Sequence, residues 1–246
     1  MAAAPLWSYL DYVATVTPAQ RRAPKTGRAS SSVFKKAVMA VSGIILVLYL
    51  IAHMIGNLKA FAGSETFNHY SEWLRTIGEP AVPAQTVLWI IRVVLLVAVF
   101  AHMWAAFSLW KQARAARPVR YVTKKPVQQS YASRTLRWGG VIILLFIIWH
   151  ILDLTFGTVN AAGGDSTPYD RLVASFSNPF VTAFYVLALV LLGMHLRHGL
   201  WSAAQTLGQS NKRRERALNT FATVFAFVLI GGYVLIPFCV LFGVID

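Results

Sequence analysis

Five long apolar segments, at about 37–58, 86–109, 138–157, 180–203 and 220–243, follow one another along the chain with short polar stretches between them. A membrane-crossing helix needs about 20 mostly apolar residues, and each segment is that long. Inside hydrocarbon every backbone N–H and C=O must find an internal partner, so only helices and closed barrels cross. The expected fold is an all-α membrane protein, a five-transmembrane-helix bundle. Hydrophobic residues make up 57% of the chain and charged residues 13%, against about 25% charge in soluble domains. The remaining loops are too short for a second soluble domain.

Nineteen of the 23 Lys and Arg residues fall on one side of this arrangement. They precede the first span, lie between spans two and three, or lie at or beyond the end of span four. The opposite loops and the C-terminus carry Glu65, Glu72, Glu79, Asp165, Asp170 and Asp246. The positive-inside rule then predicts a cytoplasmic N-terminus and an outer C-terminus. The formal charge of +14 follows the membrane pattern, which argues against nucleic-acid binding. Residues 1–36 read as a cytoplasmic segment and 37–246 as the membrane domain. Leu6, Trp7, Leu10, Val13 and Val16 recur at helical spacing, consistent with a short interfacial helix or a partly ordered tail; 21–32 reads as a linker. No cleavable leader is expected, because the first apolar run starts near Ala37 and continues as a full span. Most tryptophans sit toward span ends, as belt anchors do. The outer loop at 59–85 has room for a short helix near 72–77, and the one at 158–179 for a turn and a helix start.

His53, His102, His150 and His195 each lie inside a different span. Intramembrane ionisable groups are functional candidates by default. At 1.5 Å per residue, His53 and His102 lie roughly 7 Å off the midplane on opposite sides. His150 is slightly outward of the middle of its span and His195 inward. His53 and His150 therefore share an outer layer, His102 and His195 an inner one, separated by roughly 10–15 Å. A low-spin b haem needs two axial ligands on opposite ring faces, and each layer offers one imidazole from each of two helices. Two haem b groups, with these four histidines on the iron, fit the pattern. Zinc does not, because the histidines divide two and two with no carboxylate or thiolate beside them. The single cysteine, Cys239, excludes an internal disulfide, and the chain alone can complete neither a Rieske nor a cubane cluster.

His198 lies one turn beyond His195 and would meet a haem propionate or a soluble partner. Arg92, at the outer end of span two, would snorkel or meet an outer propionate. His69 reads as a solvated loop residue. Asp153, one turn beyond His150, is either a surface carboxylate or a proton donor at a redox site.

Taken in order, the motifs resemble the single-chain, five-helix, dihaem cytochrome b subunit of succinate dehydrogenases and fumarate reductases, over about residues 30–243. They are Ser42-Gly43; His53-Met54-Ile55-Gly56-Asn57-Leu58; Phe67-Asn68-His69-Tyr70; Ser133-Arg134-Thr135-Leu136-Arg137; His150-Ile151-Leu152-Asp153; and His195-Leu196-Arg197-His198-Gly199-Leu200-Trp201-Ser202. In that family the axial histidine of span four precedes the glycine by four residues, which selects His195 over His198.

The resemblance implies a bacterial inner-membrane complex. A soluble flavoprotein with FAD and an iron–sulfur subunit would dock on the cytoplasmic face. Electrons would reach menaquinone toward the outer side, where Glu72, Glu79 and Asp153 are candidates to supply protons; an acceptor at the inner face would instead lie near Lys36 or Ser42. An extra small membrane subunit and a higher oligomer are compatible with it. Gly193 stands where some dihaem fumarate reductases carry a glutamate for a transmembrane proton route. Competing readings are a dihaem subunit of a nitrate reductase, formate dehydrogenase or hydrogenase, and a haem-free transporter or structural anchor.

Overall fold

Each apolar segment folds into a helix long enough to cross a bilayer in the computed structural model, which describes residues 31–116, 129–206, 208 and 212–246. Helix α1 spans Ser32–Asn57 and runs into a 3-10 turn, Leu58–Ala62. A short helix α2 (Ser64–Thr76) follows, then α3 (Thr86–Ala115). Helix α4 (Gln129–His150) continues into a π-helical turn at Ile151–Thr155. A second short helix, α5 (Pro168–Phe176), precedes α6 (Pro179–Thr206) and α7 (Lys212–Leu241). The helices outrun the apolar segments at their basic ends: α3 continues through Lys111 and Arg114, and α7 begins at Lys212. Hydropathy marks only the hydrocarbon crossing. The helix continues beyond it, where long cationic side chains reach water.

Leu48 on α1, Val97 on α3, Leu145 on α4, Leu187 on α6 and Phe227 on α7 all point outward, Phe227 at 80% exposure. A soluble bundle would bury such side chains; here they match acyl chains. Inside, Leu189 and Leu196 of α6 pack on Ala226, Leu229 and Tyr233 of α7, with Val47, Leu50, Ile51 and Met54 of α1 against them. Helices α1 and α3 form one close pair and α4 with α6 another, while α3 packs mainly on α1.

At the end of the bundle where α1 stops, α2, α5 and the C-terminal residues form a cap. Its core joins Ala60, Tyr169, Leu172 and Phe176 to Tyr185, Ile236, Val240 and Ile245. A capping box between Thr167 and Asp170 starts α5. The Tyr169 backbone N–H donates to Asn68 Oδ1 at 3.1 Å, and its hydroxyl donates to the Asp246 carbonyl at 3.0 Å. The expected short helix near 72–77 is in fact Ser64–Thr76, so His69 lies on a helix and not in a loop. Gly63, at φ 91°, breaks the backbone just before it, and Phe67 anchors it to the cap core. The expected interfacial helix, the linker up to residue 30 and the middle of the basic loop lie outside the described residues.

Candidate haem site

The four histidines meet in two pairs. The rings of His53 and His150 have centres 5.8 Å apart, and those of His102 and His195 6.1 Å apart. Each pair takes one ring from the α1–α3 pair and one from the α4–α6 pair. A ligating imidazole nitrogen lies about 2 Å from its metal, so two rings on opposite faces of one metal have centres about 6 Å apart. Both pairs have that spacing. Among the described residues no group of three or more His, Cys, Asp or Glu comes together at ligand distance. The donor sets are imidazole pairs, which is the chemistry of a six-coordinate haem.

The depth of each tier can be read twice. A side chain added at Gly43 of α1 would stand 3.5 Å from Cε1 of His102, and one at Gly140 of α4 would stand 3.8 Å from Cε1 of His195. Those glycines are level with the inner tier. His53 and His150, expected from sequence to form the outer tier, each follow ten residues later on the same helix. At 1.5 Å per residue both helices give a separation of about 15 Å, roughly half of a 30 Å hydrocarbon core.

In the inner tier, Nδ1 of His102 lies 3.2 Å from the Met39 carbonyl and 3.3 Å from Ser42 Oγ. The Ser42 hydroxyl donates to the Val38 carbonyl at 2.7 Å. A carbonyl only accepts, so Nδ1 carries the proton and Nε2 keeps its lone pair for a metal. Nδ1 of His195 and Nδ1 of His150 are buried without a hydrogen-bond partner among the described residues, which is uncommon for buried polar atoms. Around the outer tier, Tyr49 stacks on His53 with centres 5.2 Å apart. Tyr233 lies 6.0 Å from His53 and donates its hydroxyl to the Leu50 carbonyl at 2.7 Å. Phe146 and Tyr185 flank His150 at 5.8 and 6.0 Å.

Asp153 sits in the π-helical turn after His150 and is 2% exposed. The surface carboxylate considered from sequence is therefore corrected to a buried one. Its oxygens accept from Asn160 Nδ2 at 2.8 Å, Ser175 Oγ at 2.7 Å and the Tyr185 hydroxyl at 2.7 Å. Glu72 and Glu79 are exposed, and neither joins this network. Arg92 is exposed, with its guanidinium 5.0 Å over the Trp89 ring and within electrostatic reach of the Tyr49 hydroxyl. His198 makes an edge contact with Trp201 at 5.6 Å. Arg197 ties α6 to α7 through Thr223 Oγ1 at 2.8 Å and Asn219 Oδ1 at 3.1 Å. Cys239 is a free, partly buried thiol beside the cap core. Sequence reasoning missed Tyr49, Asn160, Ser175, Tyr185 and Tyr233. Tyr49 and Tyr233 lie within a turn of their spans' midpoints, and Tyr49 four residues before His53, which was the available signal; Tyr185, Asn160 and Ser175 carried none.

Residues 111–234 match the family model described as succinate dehydrogenase/fumarate reductase transmembrane subunit. That stretch contains His150 and His195. The chain is also 24% identical over 187 residues to the succinate dehydrogenase cytochrome b558 subunit of Bacillus subtilis (strain 168), covering 76% of this chain and 85% of that protein. No solved structure matches the chain.

Proposed function

This chain belongs to the succinate dehydrogenase/fumarate reductase transmembrane subunit family and is a membrane cytochrome b subunit of that family; on that premise we propose that it binds two b haems and passes electrons from the soluble subunits of a succinate dehydrogenase to menaquinone. The observation that carries this reading is the meeting of four histidines as two pairs at 5.8 and 6.1 Å, in tiers about 15 Å apart. A b haem held between two imidazoles supplies reversible one-electron transfer.

His102 and His195 hold the inner group, and His53 and His150 the outer one. The Met39 carbonyl and Ser42 hydroxyl orient His102 and fix its proton on Nδ1. Arg92 and His198 would meet propionates at the two ends. The lipid-facing surface keeps the chain in a bacterial inner membrane, N-terminus in the cytoplasm. The cationic helix ends and basic loops there receive a flavoprotein with FAD and an iron–sulfur subunit. Menaquinone binds toward the capped outer end, where the exposed carboxyls of Glu72 and Glu79 face the water that supplies protons. Protons taken from outside, against electrons delivered from inside, would let the membrane potential assist transfer to a low-potential quinone.

A redox difference spectrum of the intact complex, with succinate as reductant, tests the reading. Two b-type haems per chain and a co-purifying flavoprotein are expected. Absence of haem absorbance would refute it; haem without a flavoprotein would assign the chain to another quinone-linked oxidoreductase.

A further inference from the structure

We propose that Asp153 is a fixed negative charge that lowers the potential of the outer, His53/His150 tier, with Tyr185 among the donors that screen it, and that it does not donate protons to quinone. The inference rests on the dihaem reading above and adds to it a residue that touches neither iron nor substrate.

The carboxyl group of Asp153 is enclosed by donors drawn from three separate parts of the fold. Asn160 comes from the loop after the π-helical turn, Ser175 from α5 and Tyr185 from α6. Asn160 Nδ2 also reaches Ser175 Oγ at 2.8 Å and the Arg171 carbonyl at 3.0 Å. Asn160 has two N–H groups to share among these three acceptors, and among the described residues the Ser175 and Tyr185 hydroxyls have no acceptor other than Asp153. All three partners can thus donate at once, the surroundings of an acceptor-only carboxylate. The nearby cation is committed elsewhere. Arg171 is buried, with Nε on the Leu154 carbonyl at 3.1 Å and Nη1 on the Gly164 and Ser166 carbonyls at 3.0 and 2.7 Å. The charge on Asp153 is thus held by neutral dipoles and, among the described residues, is not compensated by an ion pair.

Both of its oxygens are occupied and water is excluded, so releasing a proton to a ligand would require dismantling the network. The same network leads to the histidine tier. Tyr185 binds Asp153 by its hydroxyl and lays its ring 6.0 Å from His150 and 5.1 Å from Phe146. Asp153 itself follows His150 by three residues. In a low-dielectric interior a fixed anion acts over such distances far more strongly than in water. It favours the oxidised, more positive state of a neighbouring redox centre.

The test is a redox titration of the two haems in the intact complex, with each wave assigned from the single-haem variants His53→Ala and His102→Ala. Asp153→Asn removes the charge at nearly constant shape, and the outer-tier wave is expected to move to higher potential while the inner wave stays in place. Tyr185→Phe removes one donor and leaves the anion less screened, so the same wave is expected to move to lower potential. A merely structural role would disturb the tier in the same direction in both variants. Unmoved waves, or shifts of the same sign in the two variants, overturn the proposal. If Asp153→Asn does not assemble, Tyr185→Phe decides alone: a fall supports the proposal, and no change or a rise overturns it. A wild-type complex without two haems would instead refute the dihaem reading itself.

Discussion

Nδ1 of His102 lies 3.2 Å from the carbonyl oxygen of Met39, one turn before the glycine against which the same ring packs. Helix α1 thus both locates the His102 ring of α3 and sets its tautomer. Ser42 adds a second acceptor to the same N–H at 3.3 Å. Ser42→Ala keeps the Met39 contact and removes the weaker one. Such outer partners raise ligand basicity, so the inner-tier haem is expected to shift modestly to higher potential with the outer one unchanged. The stability cost should be about 1 kcal/mol. A redox titration beside a thermal melt checks both.

The pairing makes a stoichiometric prediction. His53→Ala with His150→Ala removes both ligands of one tier, and one haem per chain should remain. His53→Ala with His102→Ala breaks both tiers, and none should remain. Haem-to-protein ratios of the four single and relevant double variants test this, and equal or reversed losses in the two doubles would overturn the pairing.

Two glycines on different helices separate packing from propensity. A side chain at Gly56 would stand 2.8 Å from Cε1 and 2.9 Å from the hydroxyl oxygen of Tyr70, a ring that also carries Lys59 Nζ at 5.2 Å. Gly56→Ala is therefore expected to cost about 1–3 kcal/mol as overpacking. At Gly139 no atom of the described residues lies within 4 Å of an added side chain, and Gly139→Ala should be neutral or stabilising by up to about 1 kcal/mol. Thermal denaturation followed by haem absorbance gives both values, with destabilisation expected at Gly56 alone.

Reporter fusions examine the orientation. A fusion that matures only outside the cytoplasm should be active at Asp246 and silent after Ala115, where α3 ends. The reverse pattern would place the cap in the cytoplasm and invalidate the placing of the soluble partners.

The histidine tiers were legible because a membrane turns sequence position into depth. A helix has a fixed rise and the bilayer a fixed thickness, so His53, His102, His150 and His195 could be sorted into layers by counting. The cap was much less legible. Its α2 helix starts eight residues before the expected 72–77 stretch, since Phe67 and Asn68 form it by binding the cap core and Tyr169. The setting of Asp153 was illegible for the same reason. Its partners lie 7, 22 and 32 residues away, and no local periodicity records that three distant donors will converge on one carboxylate. The π-helical turn that carries it has no compositional mark either.

Helix α3 rests chiefly on α1, touches the short helix α2, and faces α6 where His102 stands opposite His195. Iron shared by that pair would bolt a loosely held stave to the barrel's other half. A cell short of porphyrin should then accumulate a chain with one helix adrift, exposed to proteolysis before its soluble partners can dock, so cofactor supply would govern how much complex is built as well as how fast it works.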